Sequence, residues 1–431
     1  MVKPNHTVSP RGAGQSLALR PEDDAHSANG ATLARRALLL GGTSLGLGSA
    51  LGACREIAQG DVKPTTSAGR ASETSVEGAQ AKPNSSSAPG SGGPILEIVP
   101  LGAPPWKTFD PFLFCVHHRD AYPAGNEGLG PQASLQGRRV GHDFSNKDGW
   151  SMYHGQSVPG FPRHPHRGFE TVTITRQGYV DHSDSLGATA RYGHGDVQWM
   201  TAGRGIVHAE MFPLVESNKP NLTELFQVWL NLPRRNKFAD PHFSMFWSHQ
   251  LPRPEVTDSR GRKTRVTVIA GSLARERPPS PPPDSWAAQP EADVAIWTVV
   301  MQPRAVWQLP RVAEGVGRTL YFFSGSALTV AGRAVPPLSA LRLRPEASVQ
   351  LEAGPGGGAV ECLLLQGRPI GEPVVSHGPF VMNERREIEA AFRDYRNTQF
   401  GGWPWSDRAP VHPRQSGRFA IHADGREERP A

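Results

Sequence analysis

From residue 94 onward, short apolar or alternating runs recur, and Gly, Pro and Asp residues separate them. Runs of this length, with side chains alternating between two faces, are typical of β-strands. Many short strands joined by such turns predict an all-β barrel or sandwich. The predicted strands form two series along the chain. The first is 95–99, 111–114, 169–175, 196–200 and 205–208, and the second is 265–271, 294–300, 320–325, 327–330 and 360–365.

Two segments depart from this pattern. The segment 123–149 is polar, rich in glycine and weakly periodic, so we predict a long loop there. Residues 383–395 predict a helix instead, because their apolar side chains recur at i, i+3, i+4 and i+7. Asn383 is the expected N-cap. The apolar face of this helix consists of Ile388, Ala391, Phe392 and Tyr395.

Two short motifs in the first strand series carry candidate chemistry. His164 and His166 are separated by one residue, and so are His208 and Glu210. Side chains at i and i+2 of a strand point to the same face. Two such strands side by side in a barrel would present three imidazoles and one carboxylate to one interior point. This donor set suits a transition metal such as iron and suits calcium or magnesium poorly.

The spacing around these motifs resembles that of the cupin barrels. Gly160, His164, His166, Glu170 and Gly178 match the first cupin block. The second block is matched by 195–208, although Thr201 stands where a proline is usual.

Longer blocks within about residues 94–425 resemble one family, the pirins. These blocks are 164–174, 195–210, 226–233 and 377–383. The resemblance implies two cupin barrels packed together, with one iron in the N-terminal barrel held by His164, His166, His208 and Glu210. It also implies that the C-terminal segment returns toward that barrel. Some pirins open flavonols with dioxygen, and others are iron-dependent partners of transcription regulators.

The first functional hypothesis is therefore a metal-dependent dioxygenase acting on a flavonol of the quercetin type or another enol. Glu210 would be the proton acceptor, since a positioned carboxylate can act as a general base. Further residues are expected in the second shell or pocket, namely Glu170, Gln198, Trp199, Met200 and His154. Iron is the expected metal, with Ni, Mn, Co, Cu and Zn left open. The alternatives are a non-catalytic, metal-responsive binding protein and a metal-assisted isomerase or hydrolase.

Residues 1–54 resemble a bacterial export signal. Arg35 and Arg36 precede an uncharged stretch that is too short and too rich in glycine for a membrane span. The stretch ends at Cys54 in a sequence similar to a lipobox, which predicts lipidation at Cys54 and a location on the periplasmic side of the membrane. If the signal is not used, the protein would be cytoplasmic. Residues 55–93 are rich in Ser, Ala, Gly and Pro and predict a disordered linker.

The expected organisation beyond the linker is a metal-binding barrel at 94–255, a second barrel at 256–400 and a polar surface tail at 401–431. The second series contains neither HxH nor HxE, so we expect no metal of the same kind there. Three cysteines do not make a disulfide scaffold, and Cys115 and Cys362 lie in apolar runs that predict burial. The net charge of +6 is spread without a basic stripe, which argues against direct nucleic-acid binding. A monomer is expected.

Overall fold

The structure is a computed structural model that describes residues 93–430. The predicted export signal, the linker and Cys54 lie outside the described residues. The described part is all-β with one α-helix, α1 (Arg385–Thr398). No helix in it is long and apolar enough to cross a membrane.

The strands are numbered in chain order. The first ten are β1 (Ile95–Pro100), β2 (Phe112–Tyr122), β3 (Gly160–His166), β4 (Phe169–Gln177), β5 (Tyr179–Asp184), β6 (Thr189–Gly193), β7 (Val197–Thr201), β8 (Ile206–Met211), β9 (Asn221–Asn231) and β10 (His242–Phe246). The next ten are β11 (Glu255–Thr257), β12 (Lys263–Ala270), β13 (Ala295–Met301), β14 (Val306–Leu309), β15 (Gly317–Ser324), β16 (Leu328–Val330), β17 (Arg333–Val335), β18 (Ser339–Leu343), β19 (Val349–Ala353) and β20 (Val360–Gly367). The last four are β21 (Val375–His377), β22 (Phe380–Met382), β23 (Phe419–Ile421) and β24 (Glu427–Glu428). Short 3-10 turns lie at Lys147–Gly149, Arg234–Asn236, Ser248–Gln250, Trp286–Ala288, Pro290–Ala292, Gln399–Gly401 and Arg414–Ser416.

Two barrels are present, each made of two antiparallel sheets. The first barrel combines the sheet β10-β7-β4-β9-β2 with the sheet β24-β23-β6-β5-β8-β3. The second combines β1-β18-β15-β20-β13-β12-β11 with β14-β19-β16-β17. Every predicted strand lies within or overlaps an observed strand, and the predicted loop 123–149 contains no strand. The prediction of two packed cupin barrels is confirmed.

The two ends of the described chain each join the barrel that is remote in sequence. Strand β1 pairs with β18 of the second barrel. Strand β23 pairs with β6 of the first barrel, where Phe419 and Ala420 are buried. The prediction of a polar surface tail at 401–431 therefore needs correction. Three-residue strands in a basic segment carry too little periodicity to be recognised from sequence.

The barrels share one apolar core. Val172, Trp199 and Phe226 of the first barrel belong to the same buried cluster as Ile269 and Tyr321 of the second. Cys115 lies in this cluster and Cys362 in the core of the second barrel, so the predicted burial of both thiols is confirmed. The interface between the barrels therefore contains a continuous apolar core.

Helix α1 packs against the first barrel, as the family resemblance implied. Ile388, Ala391 and Tyr395 join Phe380 and Val207 in one buried cluster. The N-cap is Glu384, one residue later than predicted, and the Glu387 carboxylate accepts from the Glu384 amide at 2.9 Å. Boundaries of helices commonly differ by a residue or two.

Candidate metal centre and cavity

The strand pair β3 and β8 brings the two predicted motifs together. His164 lies directly opposite His208 in the antiparallel register, which puts both side chains on the same face. A register shift between Phe161 and His164, where Pro162 interrupts the ladder, precedes the first histidine. One nitrogen from each of His164, His166 and His208 lies within 4.8 Å of the others. This spacing could hold one metal ion.

Backbone carbonyls orient two of these imidazoles. His164 Nδ1 lies 2.9 Å from the Pro162 carbonyl oxygen, and His166 Nδ1 lies 3.4 Å from that of Pro379. If each Nδ1 donates, each Nε2 keeps its lone pair for a metal. Pro379 lies between β21 and β22, so a segment beyond the second barrel helps to fix a candidate ligand of the first.

The fourth candidate ligand is held by two neutral donors. Thr173 Oγ1 donates to Glu210 Oε1 at 3.1 Å, and Gln227 Nε2 donates to Oε2 at 2.8 Å. Trp229 Nε1 in turn donates to the Gln227 side chain at 3.2 Å. Glu210 Oε2 lies 3.9 Å from His208 Nε2. Each oxygen of Glu210 therefore has a protein partner, and Oε2 also lies beside the His208 imidazole.

Burial keeps the histidines neutral. Desolvation lowers the pKa of His164 to about 4 and those of His166 and His208 well below the usual range. Desolvation also raises the pKa of Glu210, although the hydrogen bonds from Gln227 and Thr173 oppose this. Both nitrogens of the fully buried His208 have no hydrogen-bond partner among the described residues. Neutral buried imidazoles with such atoms are chemically suited to coordinate a metal.

The cluster opens on a cavity of about 1010 Å³, at the upper end of the ~300–1,000 Å³ typical of small-molecule sites. Phe144, Phe161 and Trp229 contribute aromatic walls. The predicted loop supplies one side of the cavity, and Arg408 and Val411 of the C-terminal segment supply another. The cavity walls therefore come from parts of the chain that sequence spacing cannot connect.

The remaining predicted residues have mixed positions. His154 lines the cavity and contacts the Gly141 carbonyl at 3.0 Å. Gln198 and Met200 of β7 are buried, and they pair with Thr173 and Thr171 of β4. Neither lines the cavity. Trp199 points into the core between the barrels. The pocket role expected for these three residues of β7 therefore needs correction.

Glu170 is remote from the cavity wall and lies between the barrels. It accepts from Thr201 Oγ1 at 2.7 Å and from Ser285 Oγ of the second-barrel segment at 2.5 Å. Burial raises the pKa of its carboxyl to about 7, although these hydrogen bonds oppose the shift. This position favours a structural role for Glu170 over the expected role in the second shell or pocket.

Sequence reasoning missed a fourth histidine beside the cluster. His182 of β5 is fully buried, with its ring centroid 5.6 Å from that of His208. Its Nε2 lies 3.1 Å from Asp184 Oδ2. His182 and Asp184 themselves form an HxD pair at the i and i+2 spacing, so the same strand rule would have found them. Gln227 and Thr173 carried no such signal. The register of β4 and β9 pairs them with each other, and only the packing of the two sheets brings both to Glu210 of β8.

Sequence comparisons agree with this architecture. The Pirin family profile matches residues 106–230, and the profile of the Pirin C-terminal cupin domain matches residues 296–401. Human pirin is 33% identical over 64% of this chain and 90% of its own length. A Pseudomonas aeruginosa protein provisionally named quercetin 2,3-dioxygenase is 39% identical over 56% of this chain and 80% of its own.

The fold comparison points the same way. The crystal structure of a quercetin 2,3-dioxygenase from Acinetobacter baumannii superposes with a TM-score of 0.54 at 26% identity, covering 72% of this chain and 96% of the other. Both family profiles match in the expected order, and relatives are matched along most of their length. The chain belongs to the pirin family of two-barrel cupins.

Proposed function

We propose that this protein is a metal-dependent dioxygenase that acts on a flavonol of the quercetin type or a related enol. The observation that carries the proposal is a cluster of three neutral imidazoles beside a large aromatic cavity, which His164, His166 and Glu210 line. The names of the Pseudomonas and Acinetobacter relatives support the same substrate class. Iron is the proposed metal, and Ni, Mn, Co, Cu and Zn are its competitors for such ligands.

His164, His166, His208 and Glu210 would hold the metal, which would supply Lewis acidity and a redox centre when bound. The carbonyls of Pro162 and Pro379 fix two of the imidazoles in orientation. Thr173 and Gln227 hold the carboxylate, whose proposed role as proton acceptor stays a prediction. Phe161 and Trp229 would sandwich an aromatic substrate and exclude water from the reacting oxygens.

The test combines metal analysis with oxygen uptake. Protein purified from its native host should contain about one redox metal per chain, and quercetin should start oxygen consumption. His166→Ala should lose both, whereas His249→Gln, at an exposed histidine outside the cavity, should keep both. Full metal without oxygen uptake would overturn the dioxygenase proposal for flavonols, and an intact fold without metal would overturn the metal centre.

A second candidate function is a metal-responsive binding protein. The observation that favours it is the contact of His166 with the Pro379 carbonyl, because it links a candidate ligand to the partly exposed β21–β22 hairpin. A change in the metal could then alter a surface read by a protein partner. Hydrogen exchange of residues 375–382 with and without metal tests this link, and identical exchange would argue against it.

We also propose export and lipid attachment of the protein through residues 1–54. The support is the Arg35–Arg36 pair and the ending at Cys54. Cell fractionation tests the proposal with the variants Arg35→Lys/Arg36→Lys and Cys54→Ala. The first should retain the protein in the cytoplasm, and the second should release it from the membrane. A cytoplasmic wild-type protein would refute export.

A further inference from the structure

Three polar side chains outside the candidate metal centre form a hydrogen-bonded chain on the wall of the same cavity. His118 Nδ1 lies 2.8 Å from the Tyr153 hydroxyl, and that hydroxyl donates to Asp120 Oδ2 at 2.8 Å. Asp120 Oδ1 also accepts the Ser151 amide at 2.9 Å. All three residues line the cavity, and no hydrogen bond from another described residue reaches His118 Nε2.

The polarity of this chain follows from its donors and acceptors. An ionised carboxylate can only accept, so Tyr153 must give its single hydroxyl proton to Asp120. The tyrosine oxygen is then an acceptor, and it takes the proton of His118 Nδ1. The second ring nitrogen, Nε2, is left with a lone pair. The cavity therefore presents a hydrogen-bond acceptor that suits a hydroxyl group of a ligand.

The chain lies within reach of a ligand at the metal centre. Phe161 has ring contacts with both His118 and His164, at centroid distances of 5.9 and 6.4 Å. Both imidazoles thus contact the same phenyl ring, and a flat polycyclic enol bound beside that ring would lie near both. Glu210, the proton acceptor predicted from the sequence, already accepts a hydrogen bond on each oxygen, so the hydrogen-bonded chain is the alternative acceptor for the same proton.

We propose that His118, Tyr153 and Asp120 form a proton relay that accepts the acidic hydroxyl proton of the enolic substrate. The substrate O–H bond breaks as its proton passes to His118 Nε2. The Nδ1 proton moves to the Tyr153 oxygen, and the tyrosine proton moves to Asp120. Asp120 ends as a carboxylic acid, His118 and Tyr153 end neutral, and the substrate ends as an enolate. His118 is the catalytic residue, and the other two are positioning residues.

The surroundings of Asp120 suit the end of such a relay. Burial raises the pKa of Asp120 to about 7, and the nearby Asp143 charge adds to this shift. The hydrogen bonds from Tyr153 and Ser151 and the charge of Arg138 oppose it. An acceptor of this strength is matched to neutral pH. Burial together with His117 lowers the pKa of His118 to about 3, which favours a relay through neutral imidazole over a stable imidazolium.

Two measurements test the relay. Its role as an enzymatic step rests on the proposed function. The first needs neither metal nor substrate. Nitrogen NMR of histidine-labelled protein at pH 8 should show His118 protonated at Nδ1 and bare at Nε2. Tyr153→Phe, which keeps the ring contacts of Tyr153 with Phe161, should remove this tautomer preference. A wild-type protein with His118 protonated at Nε2 would overturn the relay.

The second measurement is an anaerobic titration of the metal-loaded protein with quercetin, read by the red-shifted absorbance of the bound anion. Tyr153→Phe, Asp120→Asn and His118→Gln should keep the metal but raise the pH of ligand ionisation by about one unit or more. His249→Gln should match the wild type. Ionisation that is unchanged in all three variants, or no anion band in the wild type, would overturn the assignment. Absent oxygen uptake with an intact anion band would refute only the dioxygenase.

Discussion

At the scale of single residues, the candidate centre depends on side chains that hold its ligands as much as on the ligands. Gln227 bridges Trp229 and Glu210, with its amide nitrogen 2.8 Å from the carboxylate. Partners of this kind orient a ligand and keep it ionised, and their loss commonly weakens metal binding by about 10–100-fold. We therefore expect Gln227 to set the metal affinity without contacting the metal.

Gln227→Leu tests this expectation. The substitution removes the side-chain amide that donates to Glu210 Oε2. Metal affinity should therefore fall by about 10–100-fold while the fold is kept. Competition with a chromophoric chelator measures the change. Gln308→Leu, at an exposed glutamine of the second barrel, is the matched control. Equal affinities for the two variants would refute the supporting role.

Glu170 makes stability depend on pH. Its pKa is raised to about 7 by burial, so between pH ~4.5 and ~7 the folded protein binds a proton that the unfolded chain has released. Its contribution to stability is thus full below pH ~4.5 and is lost as the pH rises through ~7, with a slope of at most ~1.4 kcal/mol per pH unit. Glu170→Gln should flatten this slope in urea unfolding between pH 5 and 8. The exposed Glu346→Gln should retain it. Because the raised pKa of Asp120 adds a slope of its own in the same pH range, a slope in Glu170→Gln equal to that of the wild type would contradict the assignment.

The same scale shows what spacing can predict. The four candidate ligands form two pairs, His164 with His166 and His208 with Glu210, and one residue separates the members of each pair. The two-residue repeat of a strand is enough to place each pair on one face. Thr173, Gln227 and the Pro379 carbonyl come from separate elements. Only the packing of the two sheets of the first barrel and the course of the chain before α1 bring them to the ligands. Sequence alone carries neither.

At the scale of elements, a strongly periodic apolar pattern was sufficient to predict a helix or strand, and a weakly periodic one was not. Helix α1 followed from one apolar face, and the longer strands followed from their runs. Strand β23 did not, because three residues in a basic tail show no repeat. Yet the tail is held firmly, since the buried Arg191 donates to the carbonyl oxygens of His412 and Pro413 at 2.7 Å each.

Phe419→Ala tests whether β23 stabilises the first barrel. Phe419 is 6% exposed and its ring packs on that of His412 at 4.8 Å. Truncating it should lower the free energy of unfolding by roughly 3 kcal/mol. Leu222→Ala, at a leucine that is 53% exposed, should change it by less than about 0.5 kcal/mol. Urea denaturation measures both, and similar values would mean that β23 contributes little.

At the scale of the whole molecule, the two barrels have diverged at equivalent strands. The pair β14 and β19 occupies the place in the second barrel that β3 and β8 occupy in the first. Trp307 faces Leu351 there, and Leu309 faces Val349, all four buried in an apolar core. Apolar side chains of this kind cannot ligate a metal, and the expectation that the second barrel has no such metal site stays a prediction. The family resemblance implied that the C-terminal segment returns to the first barrel. The strand pairing of β1 and β23 could not be predicted, because it joins residues some 240 positions apart.

Because the barrels share a core and exchange strands, we expect a metal in the first barrel to stabilise both. A ligand at 100 times its Kd adds about 2.7 kcal/mol to the free energy of unfolding. Removing the metal with a chelator should therefore lower the midpoint temperature of a single calorimetric unfolding transition and should not split that transition into two. Tryptophan fluorescence and far-ultraviolet circular dichroism should report the same midpoint before and after removal. His166→Ala should unfold at the same midpoint as the wild type without metal, and the chelator should not change that midpoint. Two transitions, with only one sensitive to chelator, would show that each barrel unfolds independently despite the common core.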